Sequence, residues 1–268
     1  MKITNLLVTA ALGLGVICST ASAQVRQVTV TIENIAQDDS VSFAPLRLGF
    51  HSNVFDAFDA GEAAGDAIIS VAEGGSGDVW LADFGAADPT AVVGSVVNGG
   101  PAVPAGNAGV GNEFNSTATA TFTVDTSINP YFTFASMVVP SNDLFIGNDA
   151  AIPLFDASGN LLIDEIVLTG ADVWNAGSEL AIAENAAFLP SGTNADRVAE
   201  NGVVEFSLAE LLAYEGLETA AGYNYDNSLV GLDTEIYRIS INSVVPEPSS
   251  GLMGLVAALG MAAFRKRR

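Results

Sequence analysis

Cysteine is nearly absent: of 268 residues only Cys18 carries a thiol. A disulfide within the chain is therefore excluded, and so is a cysteine-based zinc site. Histidine is as scarce, with His51 alone. That leaves too few nitrogen ligands for zinc and a single candidate base for a Ser-His-Asp hydrolase. Positive charge is the third shortage. Nine Lys and Arg stand against 31 Asp and Glu, and five of the nine (Lys2 and Arg265, Lys266, Arg267 and Arg268) sit at the two ends. The stretch between those ends keeps four basic residues, Arg26, Arg47, Arg197 and Arg238, for a formal charge of −27. Such a body repels nucleic acid and anionic lipid. It attracts divalent cations, which favour carboxylate oxygens; the same acids also keep an exported protein soluble.

What the two ends do have is sorting chemistry. Residues 1–23 combine Lys2, an apolar run over 6–16 and the small residues Ala21, Ser22 and Ala23, the pattern of a secretory signal peptide. Cleavage after Ala23 removes Cys18 and leaves a body with no cysteine, held together by its core alone; about 220 residues suffice to bury most of its apolar surface. At the other end, residues 251–264 contain no polar side chain and are followed by four cations. As a helix they reach about 21 Å, short of a hydrocarbon core of about 30 Å. Ser250 and the stems of Arg265 and Lys266 extend the span to a marginal one over 250–264. The cations stay on the cytoplasmic side. Pro246 and Pro248 keep the preceding segment extended.

Val245-Pro246-Glu247-Pro248, the short apolar helix and the terminal Arg/Lys cluster together resemble the PEP-CTERM sorting signal. That resemblance covers 245–268. It implies signal peptidase and an exosortase as processing partners, a transient stay in the inner membrane of a Gram-negative bacterium, and delivery to the cell surface or extracellular matrix.

Between the ends the hydrophobic period is mostly two. Residues 28–32, 117–124, 131–139, 165–168 and 237–242 alternate or are rich in β-branched and aromatic residues, as half-buried strands are. Residues 154–162 predict a hairpin with a glycine in its turn. Helix signals are few. Asp59 with Glu62 predicts a capped helix over 60–72, stopped at Gly74 and Gly75. Ser207 predicts a short one over 208–214, ended by Gly216. Residues 94–111, with six glycines and two prolines, predict a long loop. The sum is a mainly β chain: an antiparallel β-sandwich over 24–244 with one or two helices laid against it.

A second resemblance lies in this body. Ala44-Pro45-Leu46-Arg47-Leu48-Gly49-Phe50-His51-Ser52 is similar to the Ser-Pro-Leu-x-Gly-x-x-His-Ser opening of the spondin N-terminal domain, with one extra residue before the glycine. Ile69-Ser70-Val71-Ala72-Glu73-Gly74 fits the helix that follows in that family. Val139-Pro140-Ser141-Asn142-Asp143-Leu144-Phe145-Ile146-Gly147 resembles its Pro-Ser-x-Asp segment, and Asp172 to Glu179 its Asp-Ala-Gly-Thr-Asp loop. The motifs occur in family order. The resemblance implies a C2-like sandwich with calcium held by loops at one end, in an extracellular-matrix or adhesion role. Its ligand positions map onto Asp143, onto Asn175 where the family usually has Asp, and onto Glu179, again in place of Asp. Calcium accepts amide and carboxylate oxygens alike, so the altered set keeps a site of lower charge. The same three residues also suit turns that cap backbone groups.

Other chemistry finds less support. Ser52 or Ser141 could serve His51 as nucleophile, yet no nucleophile elbow precedes a helix. Asp38/Asp39 and Asp164/Glu165 are adjacent, so as strand residues they face opposite sides. Trp80, Trp174, Tyr223 and Tyr225 suit either sugar stacking or core anchoring. The expectation is a non-catalytic surface protein that binds polysaccharide or another surface protein. The alternative is a secreted hydrolase of matrix polymers.

Overall fold

A computed structural model describes residues 25–97, 99–109, 114–192 and 197–246. The signal segment and all of the tail from Glu247 onward, including the expected helix over 250–264, lie outside the described residues. Among the described residues no helix is long and apolar enough to cross a membrane.

Two antiparallel sheets carry the chain. The smaller orders β5 (Thr117–Asp125), β1 (Val25–Asn34), β12 (Glu235–Val244) and β9 (Glu165–Thr169). The larger runs β11 (Glu205–Phe206), β10 (Val173–Asn175), β7 (Leu144–Gly147), β6 (Tyr131–Val139), β3 (Leu46–His51) and β4 (Val92–Val96). Two short strands, β2 (Ser42–Phe43) and β8 (Ile152–Pro153), also pair with β6. The alternation read from the sequence sets which face is inside. Val28, Val30 and Ile32 of β1 and Ile239 and Ile241 of β12 point at the larger sheet, which answers with Leu46, Leu48, Phe50, Phe132 and Phe134. Aromatic pairs cross between the layers: Phe50 with Phe122 at 5.6 Å and Phe43 with Tyr237 at 4.5 Å between ring centroids. This shared core is the arrangement of a β-sandwich.

The larger sheet is buried on both faces, as the nearly continuous apolar run of β6 requires. Its outer face is covered by α1 (Asp66–Gly74) and α2 (Asp78–Ala87). Ile68, Val71, Trp80 and Phe84 from these helices meet Ala135 and Phe145 from the sheet, with Phe55 and Phe58 closing the layer.

Here the structure corrects two expectations. The helix does not start at Ala60: Asp59 and Glu62 form a turn closed by the Glu62 N–H on the Asp59 carbonyl, with Gly61 at φ 90°. The turn is stable without a helix because Gly61 N–H instead donates to the Val204 carbonyl. The stop was legible, since Gly75 at φ 60° ends α1, with its N–H on the Val71 carbonyl and the Ser76 N–H on the Ser70 carbonyl. Helix α2 was not anticipated. Its sequence, DVWLADFGAA, mixes apolar and small residues with little periodicity, and tertiary burial of Trp80 and Phe84 decides it. Residues 208–214 form a 3-10 helix (Ala209–Tyr214) instead of an α-helix, and Ser207 does not cap it.

Two residues of β3 hold the helix layer in place. Phe84 lies against Gly49 so closely that a Cβ there would sit 2.3 Å from its ring. Arg47 reaches the α1–α2 junction, donating to Ser95 Oγ at 2.8 Å and to the Gly75 carbonyl. Gly49→Ala is therefore expected to lower the free energy of unfolding by about 1–3 kcal/mol, the usual cost of overpacking. The effect is read as a lower urea midpoint at unchanged slope. A Gly49→Ala/Phe84→Leu double variant should recover part of the loss; strictly additive losses would mean the close approach is not the cause.

Candidate functional site

The segment between β6 and β7 brings the expected residues together. Ser141 fixes the turn: its hydroxyl donates to the Val138 carbonyl at 2.5 Å and accepts from the Leu144 N–H at 3.2 Å. Register does the rest. Leu144 pairs with Asn175 across β7 and β10, and the Ala176 N–H donates to the Asp143 carbonyl. Gly177, at φ 66° and packed against the Gly202–Val203 backbone, turns the chain so that Ser178 and Glu179 come back over Asp143.

Asp143 is fully buried. One oxygen, Oδ2, accepts from Ser178 N (2.8 Å), Ser178 Oγ (3.2 Å) and Glu179 N (2.9 Å). The other, Oδ1, has no hydrogen-bond partner. Asn175 uses its amide oxygen on the Gly177 N–H and presents its NH2 to Glu210 Oε1 at 2.5 Å and Glu200 Oε2 at 3.4 Å. Glu179 Oε1 accepts from the amides of Asn142 (3.0 Å) and Asn185 (2.6 Å), and its Oε2 lies 3.5 Å from Arg197 Nε. Arg197 is shared with Glu73 of α1.

So the three expected residues are neighbours, but their oxygens differ in availability. Those of Glu179 and Asn175 are engaged within the protein, whereas Asp143 keeps one buried oxygen free. Among the described residues no group of three His, Cys, Asp or Glu side chains is set to enclose a metal ion.

Asn142 is the hub that sequence reasoning passed over. Its amide donates to Glu179 and Asn185, and its oxygen accepts from Ile182 N (3.0 Å) and the Tyr214 hydroxyl (2.5 Å). The only signal for it was its place beside Asp143. Glu200 and Glu210 carried no local signal at all, because they arrive from segments far along the chain.

The cluster is out of charge balance. Asp143, Glu200 and Glu210 act on one another with no cation paired to them, while Arg197 is shared by Glu179 and Glu73. Burial pushes the Asp143 carboxyl above its ordinary value, and the Glu200 charge adds to the rise. Burial also raises Glu210, with the charges of Asp143 and Glu200 acting in the same direction. Glu179 is raised by burial against the pull of Asn142 and Arg197. Chemically, the arrangement favours uptake of a proton or a cation. A cleft of about 250 Å³ opens beside it, lined by Glu73, Ala176, Gly177, Ser178 and Gly202.

The hydrolase residues are not assembled into a relay. His51 is buried, its Nε2 2.9 Å from Thr133 Oγ1 and its ring edge-on to Phe84. Burial holds its pKa down to about 4, against the opposing charge of Asp88. Ser52 donates through both N–H and hydroxyl to Asp88 Oδ2. Ser141 is spent on its own turn. Trp80, Tyr223 and Tyr225 are core residues, and Trp174 packs on Phe58. No protein-family model and no curated protein matches this sequence.

Asp143, Glu179 and Glu210 all have folded pKa values above their unfolded ones. Their contribution to stability is complete below the ordinary carboxylate range, about 4, and is lost as pH rises through the raised values. In EDTA the melting temperature is expected to fall between that range and neutrality. Asp143→Asn, which keeps the shape and removes one ionisation, should fall less. An equal fall in both proteins would contradict the burial account of Asp143.

Proposed function

We propose that this protein is an exported, non-catalytic binding module of the cell surface or extracellular matrix, built on a spondin-type, C2-like sandwich whose polar end takes calcium. The supporting observation is the fully buried, unpartnered Asp143 Oδ1 inside an acid-rich cluster. A buried carboxylate oxygen without a partner costs about 1–3 kcal/mol, more when charged, and a hard cation relieves that cost. Asp143 supplies the free oxygen, and Glu200 and Glu210 bring the further charge. Asn175 and Glu179 frame the loop that carries them. Calcium would supply structural charge here: it would fix the loop over 175–179 against Asp143 and shape the binding end.

The ends of the chain support the address. The signal peptide over 1–23 leads to export. Pro246, Glu247 and Pro248, with the apolar helix over 250–264 and its cations, form the sorting signal on which an exosortase acts.

Calcium at one hundred times its dissociation constant should stabilise the purified protein by about 2.7 kcal/mol, reversed by EDTA. Thermal melts check this, and Asp143→Ala should remove the shift. Unchanged melting in calcium would sink the metal reading. For the address, replacing Pro246, Glu247 and Pro248 together is expected to leave the tail uncleaved in a host that carries an exosortase. This is read by the mass of the product; normal trimming would rule out motif-directed sorting.

A further inference from the structure

The geometry points to a second binding surface, the outer face of the smaller sheet, which fits an uncharged, hydroxyl-rich polysaccharide. The inference rests on the reading of the protein as an exported binding module, and on no part of the calcium reading.

The face is defined by register. Thr121, Thr29 and Asn242 stand in one rank across β5, β1 and β12, and Thr119, Thr31 and Ser240 in the next. The hydroxyls pair across strands: Thr29 with Thr121 and Thr31 with Thr119, both at 2.9 Å. A third rank continues the pattern, with Gln27 donating to Thr123 Oγ1 at 2.8 Å beside Val244. The β5 threonines are exposed and those of β1 half-buried.

Charge is what sets this face apart. Residues 24–244 carry 30 acids against four bases, yet none of these nine positions is ionisable. Charges stand only at the margins of these nine positions: Glu165 on the edge strand β9 beside Ser240, and Glu33 and Asp125 in the flanking ranks, with Arg238 at 2.8 Å from Glu33 and 3.3 Å from Glu165. A sheet face kept only for solubility would share the acids of the rest of the surface. A face cleared of them suits a neutral partner, since no Coulomb term then draws or repels it.

The side chains name the chemistry. In each threonine pair one hydroxyl hydrogen is used between the partners and the other stays free to turn outward, with lone pairs to spare. The methyls beside them are small apolar contacts. Donors, acceptors and CH groups therefore repeat about every 4.8 Å across strands and about every 6.8 Å along them. A neutral polysaccharide offers the same mixture in repeat: hydroxyl edges and CH faces. The face has no aromatic ring, so recognition is by many weak hydrogen bonds that add along the polymer.

The test is retention of the full chain on insoluble cellulose, a neutral glucan, with wild type and a Thr29→Val/Thr121→Val variant. Valine keeps the shape and the β-preference and removes the hydroxyls, and a thermal melt confirms that the variant is folded. Wild type should be retained, with little sensitivity to salt, and equally in calcium or EDTA below the melting temperature. The variant should bind about tenfold more weakly, as expected for the loss of two hydrogen bonds. A Thr29→Ser/Thr121→Ser variant should restore most of the retention. The proposal is overturned if wild type is not retained, or if the valine variant is retained equally. It also fails if binding goes instead to an anionic polymer in a salt-sensitive manner, or if the protein shapes ice crystals without holding the glucan. Because EDTA does not enter the expected result, loss of the calcium reading would leave this one standing, and the reverse.

Discussion

The larger sheet needs a cover on each face, and most of the molecule follows from that need. Its central strand, β6, is buried along nearly its whole length. One face is closed by the smaller sheet through Phe50, Phe132 and Phe134, the other by two short helices through Trp80 and Phe84. With a single cysteine in the sequence no internal disulfide is possible, and these two apolar layers supply the cohesion. Gly49 matters because it lets the helix layer sit directly on the sheet. Arg47 matters because it ties that layer to β3 by hydrogen bonds.

The same doubly covered sheet gives the polar cluster its setting. Asp143 immediately precedes β7, Asn175 ends β10, and the pairing of Leu144 with Asn175 places both at one end of the buried layer, where the chain must leave the sheet and turn. Buried turns demand hydrogen-bond partners, and Asn142, Ser141 and Ser178 provide them. What the network leaves over is charge: the buried Asp143 carboxylate lies within reach of the charges of Glu200 and Glu210, and Arg197 is engaged with Glu179 and Glu73. The loop's hydrogen bonds to Asp143 all fall on one carboxylate oxygen, and the other, Oδ1, is buried without a partner.

The two surfaces proposed for binding differ in kind. The polar end is irregular, acidic and made from loops far apart in sequence. The outer face of the smaller sheet is regular and neutral, made from three adjacent strands. On the two proposals, an acidic body would hold a cation at one place and meet an uncharged polymer at another.

Period-two patterning determined the strands, because alternation of apolar and polar residues has one low-energy solution when a single face is buried. All five strand segments expected from the sequence are present, and so is the hairpin around Gly159, where the Asp156 N–H meets the Asn160 carbonyl. Helix signals were less reliable: a capping pair at Asp59 and Glu62 became a turn, and α2 arose where local preference was weak and burial strong. Asp143, Asn175 and Glu179 were legible as a group through motif order in the chain. Which of their oxygens is free was not, since that depends on Asn142, Asn185, Arg197, Glu200 and Glu210, brought in by folding from up to dozens of residues away. Sequence alone settled composition, charge and strand pattern, which are local. Tertiary structure decided partnership, because a hydrogen bond or a neighbouring charge belongs to the distance between residues and not to their order.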